Sequence, residues 1–363
     1  MSDARVTLRR RASLLRWLGP TAGPSDAPPG IDRREITVRG ASHFPAWVYR
    51  CPGRAHGSVL VAPGLHFAGP SDPRFDRFCR ILSRSGLVVL APFLPSYTAF
   101  EVRPSAVTEL EESFDALLSL PGRPQTAPGL FSISFGSMPA LRLAGRRGRE
   151  ISRTVVFGGF ESFRRTLRFA LAGDRDRLND PLNSPVVMLN LLPHLSPPLA
   201  PQAREQVVAA FHRYCRATWG KQESKRPEVY GKAAEAIAAE LPEALRELFL
   251  VSCRARPGVE PLAEAALARS GDAFGWVDPL PHLARVVCPV VLVHGREDDV
   301  IPFEESEALA RGLSDRGVDV ALHLTGIYGH TTSKSPLELL RGAREGAREA
   351  ASLFGILDAL ARL

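Results

Sequence analysis

Several features that mark large protein classes are scarce or missing here. The five cysteines (Cys51, Cys79, Cys215, Cys253, Cys288) are odd in number, scattered, and never in Cys-x-x-Cys spacing. That argues against a disulfide framework and a zinc site, and fits reduced thiols in a cytoplasm. The nine histidines form no ligand cluster, and His212-x-x-Cys215 reads as a local packing pair, so no metal is expected. No apolar run approaches the length of a membrane span. There is no phosphate-binding glycine loop and no dinucleotide fingerprint, so no cofactor is implied. No internal repeat or low-complexity tract stands out.

What is present is an ordinary globular composition, 45% apolar and 23% charged, with room in 363 residues for a substantial core. The net charge of +7 is uneven. Residues 1–20 carry Arg5, Arg9, Arg10, Arg11 and Arg16 against Asp3, and residues 141–177 hold ten arginines against four acids. No nucleic-acid-binding module accompanies them, so nucleic acid is not an expected partner. The N-terminal segment mixes arginines with Leu8, Leu14, Leu15, Trp17 and Leu18. It suggests either a tail or helix docked on the body, or a weak peripheral contact with an anionic membrane. A Pro/Gly-rich linker follows at 19–31.

The body alternates apolar strands with amphipathic helices. Period-two strands are expected at 35–39 and 46–50, and buried strands at 58–62, 87–91, 130–133, 153–157, 289–293 and 318–324. Helices are expected near 73–85 and 105–120, and a long one near 336–362. This pattern predicts an α/β fold with a mostly parallel central sheet flanked by helices. About 125 residues lie between the strands ending near Phe157 and starting at Pro289, too many for an ordinary crossover. They read as an inserted, mostly helical lid. The expected organisation is a basic tail and linker at 1–33, a core at 34–160 plus 281–363, and the lid at 161–280.

The chain is organised around Ser132-Ile-Ser134-Phe-Gly136, where an apolar strand meets a helix. A serine on so tight a turn, with small residues two before and two after, is the pattern of a nucleophile elbow. The helix start also offers the Phe135 N–H to a developing oxyanion. Ser132 and Ser137 lack small residues on both flanks. Two later motifs follow strands at the same sheet edge. One is Gly295-x-x-Asp298-Asp299, where a carboxylate can orient an imidazole. The other is Gly326-x-x-Gly329-His330. The order Ser…Asp…His suits this architecture, with Asp299 and, more weakly, Glu161 open as alternatives for the acid. His294 reads as a packed strand terminus, and His66, Phe67 and Phe160 as walls of a substrate pocket.

With these motifs and Pro63-Gly64-Leu65, the chain resembles the α/β-hydrolase superfamily over roughly 34–160 and 281–363. The resemblance implies Ser134 as nucleophile, His330 as general base then acid, Asp298 as orienting acid, and an oxyanion hole from the N–H groups of Leu65 and Phe135. Two positions depart from the usual pattern: Ser132 stands where glycine is common, and Pro63 where histidine is frequent. It further implies a serine hydrolase of the esterase and lipase kind, cutting a carboxylic ester or thioester of a hydrophobic small-molecule acyl substrate. The apolar run Val186–Leu192 points the same way, and the arginines near the lid suggest an anionic head group. An acyltransferase with the same residues, or a non-catalytic binding protein on this fold, is the rival reading. Oligomeric state is not legible.

Overall fold

The structure, a computed structural model, describes residues 3–19, 22–23, 25–174, 177, 179–326 and 343–363. Eight strands form one sheet: β1 (Asp32–Val38), β2 (Phe44–Arg50), β3 (Gly57–Ala62), β4 (Leu87–Pro92), β5 (Gly129–Ile133), β6 (Thr154–Phe157), β7 (Val290–Gly295) and β8 (Val320–Thr325). Their order is β1-β2-β4-β3-β5-β6-β7-β8. The pairs β1–β2 and β2–β4 are antiparallel, and all the others are parallel. The fully buried runs Val59-Leu-Val-Ala62 and Leu87-Val-Val-Leu-Ala91 explain why. A strand covered on both faces must be apolar at every position, and parallel crossovers place helices on both faces.

Alternate residues supply two cores. Leu60, Leu90, Leu130, Val156 and Leu292 face α4 (Ser105–Leu118), α5 (Ser137–Arg147) and α12 (Phe303–Ser314). Val59, Val89, Phe131, Val155 and Val291 face α2 (Pro73–Arg84) and α13 (Ala343–Ala361). Helix α2 has sharp ends. Asp72 accepts from Arg74 N at 2.9 Å and Phe75 N at 3.4 Å, Pro73 opens the first turn, and Gly86, at φ +101°, turns the chain into β4. Such a cap contributes about 1 kcal/mol.

The N-terminal segment is helix α1 (Asp3–Leu18), lying along α13. Leu14 is buried there, and Arg10 Nη1 donates to Ala361 O at 2.9 Å. The linker beyond it is tied to α2, because Arg77 donates to the carbonyls of Trp17, Gly23 and Asp26. No helix among the described residues is long and apolar enough to cross a membrane.

Between β6 and β7 the described chain is helical throughout: α6 (Phe163–Ala172), α7 (Ser184–Leu191), α8 (Pro201–Thr218), α9 (Pro227–Ala238), α10 (Glu243–Ser252) and α11 (Val259–Arg269), joined by short turns; α3 (Pro95–Thr98) lies earlier, after β4. Helix α7 is apolar on almost every side because it is the insert's centre: Met188, Leu189 and Leu191 are buried among α8, α10 and α11. Four arginines of residues 142–177 pair with acidic groups of the protein. Arg147 pairs with Asp115 and Glu150, Arg165 with Glu161 and Glu305, Arg168 with Glu264, and Arg177 with Asp174 and Glu304. These four are therefore engaged within the protein.

One ion-paired cluster joins the insert to the sheet. Lys225 Nζ lies 2.9 Å from Asp180 Oδ2 and 2.6 Å from Asp299 Oδ2, and Asp180 N donates to Asp299 O at 2.8 Å. Burial pulls the Lys225 ammonium down, but the two carboxylates outweigh it and hold its pKa above the usual value. Lys225→Met strands the buried Asp180 carboxylate, and should cost about 2–4 kcal/mol in urea unfolding. Adding Asp180→Asn should restore part of that loss. Because the folded pKa is raised, this contribution is present at neutral pH and fades as the pH climbs past about 10.4. An unchanged urea midpoint would show that the cluster adds nothing.

Candidate active site

Strand β5 lies between β3 and β6, with Ser132 opposite Ala62 on one side and Val156 on the other. The chain leaves β3 toward β4 and then crosses back to β5, so the gap above β3 and β5 is the switch point where sheets of this type leave a crevice. Ser134 stands there, at the start of a single 3₁₀ turn that leads into α5. Its φ is +53°, in the left-handed region that an L-residue with a side chain enters only at a cost of about 1–3 kcal/mol. Ser134 is 6% exposed.

The neighbouring loop explains how the strain is held. A Cβ on Gly64 would lie 3.3 Å from Ser134 Cβ and 3.9 Å from its Oγ, so the Pro63–Leu65 loop passes directly over the serine. A Cβ on Gly136 would lie 2.4 Å from Pro63 O and 2.9 Å from Ala62 O. Gly136 must therefore be small because it abuts the end of β3, and not because it faces Ser132. Ser132 itself is buried, its hydroxyl without a partner among the described residues. Sequence reasoning missed Tyr97, which no motif marks. Its buried hydroxyl donates to Phe135 O at 2.8 Å and braces the turn from α3. Tyr97→Phe should cost about 1–2 kcal/mol of stability and lower kcat with KM nearly unchanged; a selective rise in KM would show that the bond serves binding instead.

Asp298 sits in the turn after β7, 2% exposed. Its Oδ1 accepts from Val300 N and Ile301 N, each at 2.8 Å, and its Oδ2 is 3.4 Å from His294 Nε2. A Cβ on Gly158 would lie 3.7 Å from Asp298 Oδ2 and 3.9 Å from Ser134 N, so one point touches both residues. Asp299 turns the other way, to Lys225, and Glu161 pairs with Arg165. His294 is fully buried between Ser306 Oγ at 2.7 Å and Ile301 O at 2.9 Å, as a packed strand terminus. His330 lies outside the described residues. The strand it follows ends firmly, with Glu349 of α13 accepting from Thr325 Oγ1 at 2.8 Å and Gly326 N at 2.9 Å.

Above Ser134 is a cavity of about 970 Å³. Gly64, Leu65, His66 and Phe135 line its sheet side, and Val186, Val187, Trp219 and Lys225 its insert side. Of the three expected wall residues, His66 lines the cavity. Phe67 stacks behind it, with ring centroids 4.6 Å apart, and Phe160 is fully buried behind Phe135 at 5.2 Å. His66 Nδ1 accepts from Ala68 N at 3.1 Å, which leaves its Nε2–H toward Asp72, 3.6 Å away. Burial pushes the imidazole below its usual pKa, so it is a neutral donor rather than a base near neutral pH. Trp219 and Lys225 were not singled out from the sequence, where no spacing connects them to Ser134.

The sheet order, the helical insert and the strained serine at the switch point make the chain an α/β-hydrolase by fold. A sequence model of the prolyl oligopeptidase family matches residues 263–344, the stretch that carries β7, Asp298 and His330. Among solved structures, an acylaminoacyl peptidase in complex with Z-Gly-Gly-Phe-chloromethyl ketone is similar over 90% of this chain, at 11% identity and a TM-score of 0.50. The chain spans 41% of that protein's length. A Pyrococcus furiosus esterase (13% identity, TM-score 0.45, 89% of this chain and 90% of its own) and an Anabaena variabilis dienelactone hydrolase (15%, 0.44, 90% and 98%) are also similar. A search of curated proteins gave no match. The fold and the family match together support a serine hydrolase.

Proposed function

We propose that the protein is a serine hydrolase that cleaves a carboxylic ester or thioester of a hydrophobic acyl group. The observation that carries this is Ser134, held at positive φ beneath the Gly64 loop on the floor of a cavity with largely apolar walls. In this reading Ser134 Oγ attacks the acyl carbonyl carbon and His330 takes the hydroxyl proton. Asp298, already fixed by two backbone N–H groups, holds the imidazole in one tautomer and stabilises its cation. The N–H groups of Leu65 and Phe135 receive the oxyanion. Collapse expels the alcohol or thiol with the proton from His330, and water then releases the acid by the same steps.

The prolyl oligopeptidase match favours a second reading, in which the bond cut is a peptide or aminoacyl amide. The cavity supports the ester more. A substrate with a free α-amino group needs a carboxylate to receive it, and both acids among the described lining residues are already engaged: Asp72 by Arg74 and Asp180 by Lys225. A panel of p-nitrophenyl acyl esters set beside blocked and free aminoacyl p-nitroanilides separates the two. Turnover that rises with acyl length on the esters, with little on the anilides, supports the proposal. Preferred cleavage of an anilide would replace it with the peptidase reading.

A further inference from the structure

We infer that the outer face of α1, with the corner of the molecule beside it, docks on an anionic phospholipid surface. Among the described residues four large apolar side chains are conspicuously exposed, and three of them meet here: Leu8 (66%), Leu15 (40%) and Phe354 (63%). Leu8 and Leu15 are two helical turns apart and share one face. Arg10 and Arg11 of α1 reach Ala361 and Asp358 of α13, so the two helices run antiparallel. Leu15 lies one turn beyond Arg11, and Phe354 one turn before Asp358, which sets them side by side along the seam. Docking of α1 on the body uses another face, through Leu14 and Arg10, which leaves Leu8 and Leu15 with large exposed apolar surface.

A hollow on the other flank of α1 carries charge of one sign. Arg9, Arg54, Arg84 and His56 line a hollow of about 180 Å³, on which no acidic side chain borders among the described residues. Arg54 and Arg84 are exposed and make no ion pair with any described residue. An apolar strip along one flank of an exposed, rigidly held helix and a basic hollow along the other fit a lipid interface, where acyl chains lie beneath phosphates. Charge complementarity selects an anionic surface over a neutral one. The end of α1 supplies a connection to the chemistry, since Trp17 and Leu18 line the cavity above Ser134. The inference itself does not depend on what Ser134 does.

Flotation of the full chain with vesicles of phosphatidylglycerol and phosphatidylcholine, against phosphatidylcholine alone, tests it. Binding is expected only to the mixed vesicles and should fall with added salt. Arg54→Gln with Arg84→Gln should weaken it about 25-fold, at roughly fivefold per arginine near a charged surface. Leu8→Ser with Leu15→Ser and Phe354→Ser should abolish it. Unchanged melting and unchanged fluorophosphonate labelling would certify that both variants fold. Equal binding to neutral vesicles, or none to either, overturns the inference. So would calorimetric binding of inorganic phosphate without vesicle binding, which would make the hollow a soluble-anion site. A dimer of the wild type that the serine variant dissolves would assign the strip to a second copy instead.

Discussion

Ser134→Ala is expected to lower kcat by roughly 10⁴- to 10⁶-fold and to abolish labelling by a fluorophosphonate, while the protein remains folded. The expectation of a folded variant is structural. Alanine keeps the Cβ beneath the Gly64 loop, to which a Cβ added at Gly64 would come within 3.3 Å, and removes only an oxygen that makes no internal hydrogen bond among the described residues. Labelling followed by peptide mapping, with a thermal melt, reads both halves. Persistence of the adduct in Ser134→Ala would place the nucleophile elsewhere. The hydroxyls nearest in sequence, on Ser132 and Ser137, are both buried and without hydrogen-bond partners among the described residues, so neither is poised to take its place.

The second large effect is at Gly136. Its φ of −60° suits any residue, so backbone freedom is not why glycine stands there. The reason is space: a methyl group would sit 2.4 Å from one main-chain oxygen and 2.9 Å from another, and neither belongs to a side chain that could swing away. Gly136→Ala must therefore spread β3 from β5 or tilt the serine turn. The expected cost is about 2–4 kcal/mol. A displacement of about 1 Å at the serine lowers the labelling rate about 100-fold. Gly231, inside α9, provides the opposite sign, because a Cβ there meets nothing within 4 Å. Gly231→Ala should stabilise by about 0.5–1 kcal/mol. Equal urea midpoints for the two variants would show that close approach is not what selects glycine at 136.

Strand positions were legible because a two-sided strand cannot hide its composition. Leu87–Ala91 and Pro289–Val293 are unbroken apolar runs, and β4 and β7 fall within a residue or two of them. Boundaries drifted where one face is wet: β1 starts at Asp32, three residues before the alternation becomes visible at Glu35. The serine turn was legible from residue size, although for a partly mistaken reason, since the neighbour that forbids a side chain at 136 is the end of β3. The choice between Asp298 and Asp299 depends on partners far away in the chain. Lys225, seventy-four positions from Asp299, draws that carboxylate toward the insert, while local N–H groups hold Asp298 at the sheet edge. The insert's cavity wall was out of reach for a similar reason. Val186 and Val187 line the cavity while Met188 and Leu191 fill the insert's own centre, and nothing in an evenly apolar run distinguishes them.

The place where the insert leaves and rejoins the sheet has a consequence for how such a molecule can vary. Phe163 N donates to Asp278 Oδ1 at 2.7 Å across 115 positions of chain, and Glu305 of α12 accepts from Glu161 N and Ser162 N beside it. The excursion thus returns to its own starting point. Closing a loop becomes dearer only with the logarithm of its length, about 0.6 kcal/mol per doubling. Stretches between Phe163 and Asp278 that make no bond to the sheet domain can accordingly lengthen, shorten or be exchanged while this short bridge stays fixed. The sheet and the insert that walls the cavity are thus joined at the Phe163–Asp278 seam and again at the Lys225 cluster, and the segments between those two junctions can diverge at their own rate.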